Sequence, residues 1–463
     1  DEMAGGRGPR GWDLRLGRRR MLVMVATLTI CLLVTWTWIG MMGGATSPRK
    51  ARRRAGNRSL GNLGASVVTE AGDASGAAQK GSRVELRGAF DVGSASTKLT
   101  LAWVDVTRGA VVEVLYSNQV DVLVGVDLRR GEEGRLSEEI LHELSAVCGE
   151  LMLEAEEEIA SSYVVSCRNA SFMSRCTPRY RGIATAAFRL AENGHEILAK
   201  LSAWLQVPLE VISQEEEGRL GYLTAVAISG SLAVHRPPGH PMMAWDSGGA
   251  SFQLTIPREF EDGILYPAQV EAEDFYVFEG GLGSSSVSQL LVESVQGKSF
   301  EETISGNPVS IHECYELLEL VTSQVTVGKE YAWLQRAMSM VADGRASVIG
   351  FGGDSSMFQT AVFAVYNMAH FLDGMGARHS SAELLKTGAA DVVTRAQLWT
   401  ATSRLLVNKS DGELRRMGFD PPEFIIAKLV LMCAVMDALG LEAVHVFPAN
   451  GSTAGLLVSA TYW

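Results

Sequence analysis

The stretches Phe90-Asp91-Val92-Gly93-Ser94-Ala95-Ser96-Thr97 and Trp245-Asp246-Ser247-Gly248-Gly249-Ala250-Ser251 decide how this chain is read. Each runs from an apolar strand into an Asp at the strand end, then into a turn of Gly and Ser. Glycine lets the backbone approach a ligand closely, and successive N–H groups in such a turn form a concave anion site. An Asp beside it is placed to hold a divalent cation that offsets the anion's charge. One such turn is a common hairpin signal. Two, with their Asp residues 155 positions apart, predict two facing lobes, each offering one loop to a phosphate chain in the cleft between them.

Outward from these turns, strands and helices alternate, which predicts an α/β protein with helix-covered sheets. Val84–Phe90 and Lys98–Val104 read as the strands flanking the first turn, and Val111–Tyr116 as a third. Leu136–Ile159 has helical periodicity with Ser137 as N-cap, and Arg181–Ala187 reads as a strand. Met242–Asp246 and Ser251–Ile256 form the second hairpin, Ser347–Phe351 leads into Gly352-Gly353-Asp354-Ser355, and Ala443–Phe447 is a final strand. The boundaries expected are a basic tail (1–20), a membrane anchor (21–43), a flexible linker (44–82), a first phosphate-binding lobe (83–213) and a second lobe with C-terminal helices (214–463).

Charge is divided unevenly along the 463 residues. Residues 1–82 hold 13 Lys/Arg and 5 Asp/Glu, and the rest hold 28 and 48. So acidic a body argues against a general nucleic-acid binder, which needs a basic footprint. Met21–Met42 carries no charge, is long enough to span a bilayer, follows Arg18-Arg19-Arg20 and places Trp36 and Trp38 near its far end, where interfacial aromatics belong. A cleaved signal peptide is the alternative, though its apolar region is usually shorter. Asn-x-Ser/Thr sequons at Asn57, Asn169, Asn408 and Asn450, and the pair Cys167 and Cys176, which flanks a polar stretch and is spaced so that it could form a local bridge, lean towards a single-pass membrane protein with a lumenal or extracellular body. Cys148, Cys314 and Cys433 sit in apolar contexts as ordinary buried thiols.

The motif order DVGSAS (91–96), ATAAFR (184–189), ISQEEEGR (212–219), WDSGGASFQ (245–253) and GFGGDS (350–355) resembles the exopolyphosphatase/guanosine pentaphosphate phosphatase (Ppx/GppA) family. The resemblance covers about residues 83–463, with LVLMCAVMDALGLEAVHVF (429–447) and ANGSTAGLL (449–457) matching the family's terminal helix, strand and Gly loop. It implies the two-lobed actin-like, ribonuclease H-like ATPase fold. Apyrases share the motif order, and EEEGRLGYLTAV (215–226) and DSGGASFQ (246–253) lean towards them.

The resemblance also implies roles. Glu217 falls on the position that activates the attacking water, with an acidic first helical turn as the alternative reading. Arg189 would neutralise phosphate charge, or be a surface Arg near a helix start. Asp91 and Asp246 would hold Mg²⁺ or Mn²⁺. Gly93, Ser94, Ser96, Gly248, Gly249, Ser251, Gln253, Gly352 and Gly353 would bind phosphate, although Gly352 and Gly353 also fit a plain tight turn. The chain carries Gln214 where the family usually has Gly, Gln253 where it has Glu, and Ala95 where it has Asn. Arg168, Arg175, Arg179 and Arg181 read as a solvated loop or a basic lip. The implied activity is a membrane-anchored, metal-dependent hydrolase releasing terminal phosphate from polyphosphate or a nucleotide polyphosphate. The alternatives are an apyrase-like nucleotidase and an inactive homologue that senses such a ligand. The partners expected are that substrate and the membrane through residues 21–43, without nucleic acid; a homodimer is left open.

Overall fold

The computed structural model of the chain describes residues 83–131, 134–166, 177–229, 241–258, 272–325, 331–372 and 391–463, and within them not the side chains of 160–166, 370 and 372. The expected tail, anchor and linker, and the Cys167–Cys176 segment, lie outside these residues. Among the described residues, no helix is long and apolar enough to cross a membrane.

Two sheets are built on one plan. In the first, β1 (Val84–Val92), β2 (Ser96–Asp105) and β3 (Ala110–Asp121) form an antiparallel meander. Then β4 (Arg179–Ala184) and β5 (Leu209–Val211) extend it in parallel beyond β1, giving the order β3-β2-β1-β4-β5. In the second, β6 (Met242–Ser247), β7 (Phe252–Pro257) and β8 (Phe275–Gly280) repeat the meander. Beyond β6 lie the parallel strands β9 (Ser347–Gly352) and β11 (Ala443–Pro448), with β10 (Asp391–Thr394) antiparallel at the edge.

Strand periodicity aims the two Asp residues. Side chains alternate faces along a strand. On β1, Leu86, Phe90 and Val92 join an outer core beneath the helices Glu138–Ser166 and Gly194–Leu205, while Ala89 joins a second core reaching the other sheet. Asp91 shares the parity of Ala89. On β6, Met243 and Trp245 face that lobe's own outer core, while Met242 and Ala244 join the core shared with β1. Asp246 shares their parity. Both carboxylates therefore emerge, at their strand ends, on the faces the sheets turn towards each other.

That shared core is filled by helices Gln214–Ser229 and Thr453–Val458, through Leu220, Leu223, Leu456 and Leu457. Glycines set the spacing. A Cβ at Gly455 would run into the Leu220 carbonyl, and one at Gly221 would stand 3.4 Å from the Asp246 Cβ. The C-terminal helix thus packs beneath the first sheet although it follows the second in sequence.

Three sequence expectations change. The strand expected at Arg181–Ala187 ends at Ala184, because Thr185 turns the chain into the helix Ala186–Leu190. Arg179 and Arg181 belong to β4 and pair with Glu85 (3.6 Å) and Glu210 (3.7 Å), not to a loop. The sequon at Asn450 is closed: the side chain is buried and its Nδ2 donates to the Leu99 and Asn118 carbonyls at 3.1 and 2.9 Å. Ser137 does cap its helix, its Oγ accepting from the Ile140 N–H at 3.1 Å.

Candidate active site

The two turns meet. A Cβ built at Gly249 would stand 3.0 Å from the Ala95 Cβ, so the loops touch at their tips across the cleft. The cleft is lined by Asp91, Gly93, Ser94, Ser96, Glu217, Asp246, Gly248, Gly249, Ser251, Gly352 and Gly353 among the expected residues. Arg189 and Gln253 stand behind this wall.

Inside the turns, the first glycine amide of each is already engaged. Gly93 N–H donates to the Ser96 carbonyl at 3.0 Å, and Gly248 N–H to the Ser251 carbonyl at 2.9 Å. Gly93 and Gly248 therefore shape the turns instead of cradling phosphate with their own N–H groups. The Ser94 hydroxyl accepts from the Ala187 N–H at 3.0 Å, which ties the first turn to the start of the following helix.

Asp91 and Asp246 are bridged from the C-terminal Gly loop. The Ser452 N–H donates to Asp91 Oδ2 at 3.1 Å, and the Ser452 hydroxyl donates to Asp246 Oδ2 at 3.2 Å. Gly451 makes this approach feasible: its φ is +60°, and a Cβ there would collide with Asp91 Oδ2 and stand 2.8 Å from Lys98 Nζ. Lys98 Nζ donates to Asp91 Oδ2 at 3.1 Å. Burial works to lower the Lys98 pKa, but Asp91, Asp246 and Glu217 outweigh it and hold it above the ordinary value.

Glu217 lies in the first turn of its helix, one helical turn before Gly221 and on the same face, towards Asp246. Burial pushes its carboxyl up to about 7; Arg189 opposes the shift, while Asp246 and Asp91 add to it. Burial likewise raises Asp246 to about 6, with Asp91 reinforcing it and Lys98 and Ser452 opposing. Arg189 does not reach the cleft. Its Nη1 stands 2.8 Å from Glu217 Oε2 and donates to the Ile212 carbonyl at 3.0 Å, so in this structure it faces the carboxylate. Gln253 is buried and donates from Nε2 to the Ser251 hydroxyl at 3.3 Å.

Lys98, Gly451 and Ser452 were not among the expected site residues, and neither were Gln119, Asp121, Ser355 and Lys428 at the other end of the cleft. Among the described residues no group of three or more His, Cys, Asp or Glu side chains is placed to hold a metal ion together; Asp91 and Asp246, joined through Ser452 and repelling each other, are the pair a hard divalent cation would stabilise.

Comparison with known proteins bears on the family and the fold. Residues 175–270 match the Ppx/GppA phosphatase family. The fold is similar to that of the Aquifex aeolicus PPX-GPPA enzyme, with 18% identity, 81% of this chain and 99% of that one covered, and a TM-score of 0.51. It is also similar to that of an exopolyphosphatase from Cytophaga hutchinsonii, with 14% identity, 81% and 100% covered, and a TM-score of 0.52. The resemblance to the Ppx/GppA family is borne out over residues 175–270, which hold three of the five motifs, and the mixed α/β fold is that of the Ppx/GppA proteins. The family matched is one of phosphatases, and the neighbours show its fold.

Proposed function

We propose that this protein releases the terminal phosphate of a condensed phosphate, in the manner of an exopolyphosphatase, with Glu217 as the general base. The observation that carries the reading is the position of Glu217: a buried carboxyl, raised to about 7, lining the same cleft as both Gly-Ser turns. A base is most effective when its pKa lies near the working pH. Ionised Glu217 would take a proton from the attacking water and hold that water towards the terminal phosphoryl group. The hydroxyls of Ser94, Ser96 and Ser251 line the cleft as donors to the transferred group, and the ammonium of Lys98 supplies positive charge where negative charge spreads in the transition state.

Asp91 and Asp246 would hold the divalent cation, Mg²⁺ or Mn²⁺. When bound, the cation neutralises phosphate charge and relieves the repulsion between the two carboxylates. Gln214, where an acidic run begins, keeps to the scaffold: its Nε2 donates to the Phe252 and Gly280 carbonyls at 3.2 Å each, holding the helix start against β7 and β8. An anchor through residues 21–43 belongs to the same proposal and rests on the sequence alone.

The test is a phosphate-release assay with Mg²⁺ on the full chain in detergent, comparing long-chain polyphosphate, ATP, GTP and GDP, each beside Glu217→Gln. Release from polyphosphate that vanishes in the variant is the expected result. Release from nucleotides alone would move the protein to the apyrase reading. A folded protein that releases phosphate from none of them would refute the hydrolase.

A further inference from the structure

The helix Thr453–Val458 is held at both ends by one strand. Along β1, Arg87, Ala89 and Asp91 fall on one face, because side chains alternate, and Ala89 shares its core with Leu456 and Leu457 of this helix. At one end the Ser452 N–H donates to Asp91 Oδ2. At the other, Arg87 Nη1 donates to the Leu457 carbonyl at 2.8 Å. The two strand positions lie about 13 Å apart at about 3.3 Å per residue, so strand and helix run side by side between two fixed points.

Trp463 closes the second of these points. Its indole N–H donates to the Leu456 carbonyl at 2.7 Å. Its ring lies against two guanidinium groups, with the Arg87 Cζ 4.8 Å and the Arg179 Cζ 5.8 Å from its centroid. The Leu456 and Leu457 carbonyls belong to the last turn, where a helix offers its own acceptors no partner. Arg87 is itself buried and held from behind, its Nε and Nη2 donating to Glu85 Oε2 at 3.1 and 3.0 Å. Neither Arg87 nor Trp463 is among the residues lining the cleft.

What this latch fixes is the place of Ser452. Its N–H and its hydroxyl reach Asp91 and Asp246 at 3.1 and 3.2 Å, one donor to each lobe. A shift of the helix by one residue's rise, about 1.5 Å, is enough to misalign both. The same helix is tied to the base: the Gly455 N–H donates to Thr224 Oγ1 at 2.8 Å, on the helix Gln214–Ser229 that carries Glu217. Arg219 of that helix donates from Nη2 to the Ser459 hydroxyl at 3.2 Å.

We propose that Trp463 is a positioning residue for the carboxylate pair: stacked on Arg87 and capping the helix, it holds Ser452 where one residue bridges Asp91 and Asp246. The spacing of the two carboxylates, and with it the affinity for a divalent cation, is set from the far end of the helix. The cation rests on the phosphohydrolase reading above; the placing of Ser452 does not.

The experiment compares the full chain in detergent with Trp463→Ala and Trp463→Phe, by amide hydrogen exchange and by calorimetric titration with Mg²⁺. In Trp463→Ala the Ser452 amide should exchange about tenfold faster, as expected for about one lost hydrogen bond, while amides of the helix Ile425–Leu439 keep their rates. Mg²⁺ should bind about tenfold more weakly, with kcat at saturating Mg²⁺ close to that of the wild type. Trp463→Phe keeps a ring over Arg87 and should recover part of both losses. Equal acceleration at Ser452 and along Ile425–Leu439 would overturn the proposal and make Trp463 a structural residue, as would an unchanged Ser452 amide. Faster exchange at Ser452 with unaltered Mg²⁺ affinity would refute the link to carboxylate spacing. Should Trp463→Ala not fold, Arg87→Lys keeps the charge beside Glu85, gives up the planar donor set and is read in the same way. A wild type that binds no Mg²⁺ and releases no phosphate brings down the phosphohydrolase reading, and the placing of Ser452 is then judged by exchange alone.

Discussion

Replacing Arg189 by Met separates two roles for this guanidinium, one on the substrate and one on the base. Arg189 Nη1 lies 2.8 Å from Glu217 Oε2, with both side chains largely buried. An opposite charge at that range lowers a carboxylate pKa by about 1–3 units. Glu217 stands at about 7 with Arg189 in place, so without it the value should rise to about 8–10. At neutral pH the ionised fraction would drop from about one half to between about one tenth and one thousandth. Met fills a similar volume, and the uncompensated carboxyl protonates instead of remaining as a buried charge, so the fold should survive. The assay is kcat/KM for phosphate release as a function of pH, which reports the ionisation of the free enzyme. The expected result is an acid limb displaced upwards by about 1–3 units, with rates converging on those of the wild type at alkaline pH. A limb left where it was, with activity lost equally at every pH, would refute the reasoning and return Arg189 to the substrate.

Glu217→Gln should cut phosphate release by about 10²–10⁴-fold while the melting temperature at pH 8 stays level or rises, since it removes a buried charge; a comparable loss of activity and of folded protein would mean a structural role. Without metal, stability should decline between about pH 5 and 7. Glu217 and Asp246 have folded-state pKa values above their unfolded ones, so their contribution is complete below the unfolded values and is lost as the pH rises through the folded ones. For Glu217, a rise from 4.5 to about 7 corresponds to on the order of 3 kcal/mol. Glu85 and Glu313, which are lowered, act below pH 4.5 and leave this window alone. Mg²⁺ should accordingly raise the melting temperature more at pH 8 than at pH 5.5; equal shifts would argue against carboxylate ligation. Gly451→Ala should weaken metal-dependent activity at least about tenfold, because a Cβ at φ +60° is strained and drives into Asp91 Oδ2. Wild-type activity in that variant would show that the C-terminal loop does not hold Asp91.

How much of this was legible follows from the distance over which each signal acts. Asp91 and Asp246 sit in local patterns, a strand of period two ending in a Gly-Ser turn, and the alternation also fixes which face each carboxylate takes. Glu217 is legible because three acidic residues open a helix behind a Ser. The bridge from Ser452 was not, since it joins residues 361 positions apart and becomes a bond only once the last helix is packed beneath the first sheet. Lys98 reads as a strand residue on the partner of β1, and only its register opposite Asp91 brings it to the site. Lys428 did leave a signal, a single charge within an otherwise apolar helix up to Asp437, and it was passed over because no motif surrounds it. β8 is missed for a similar reason: Phe275-Tyr276-Val277-Phe278 follows a polar stretch with no turn signature, and its place is set by pairing with β7.

The departure at Gln253 takes on a different meaning once its place is known. As a residue expected at the phosphate, an amide in place of a carboxylate looks like the loss of a base or a metal ligand. In the fold it stands behind the wall of the cleft, and its Nε2 donates to the Ser251 hydroxyl. A carboxylate there could only accept, and would draw the Ser251 hydroxyl proton away from the cleft. The amide supplies the proton for that contact itself, which leaves the hydroxyl hydrogen of Ser251 to point towards an anion. Substituting Gln for Glu thus exchanges one negative charge near a polyanion for one more donor aimed at it. On the proposed reading, with Glu217 in the cleft as the base, the exchange would alter how phosphate is held and leave intact the group that activates water.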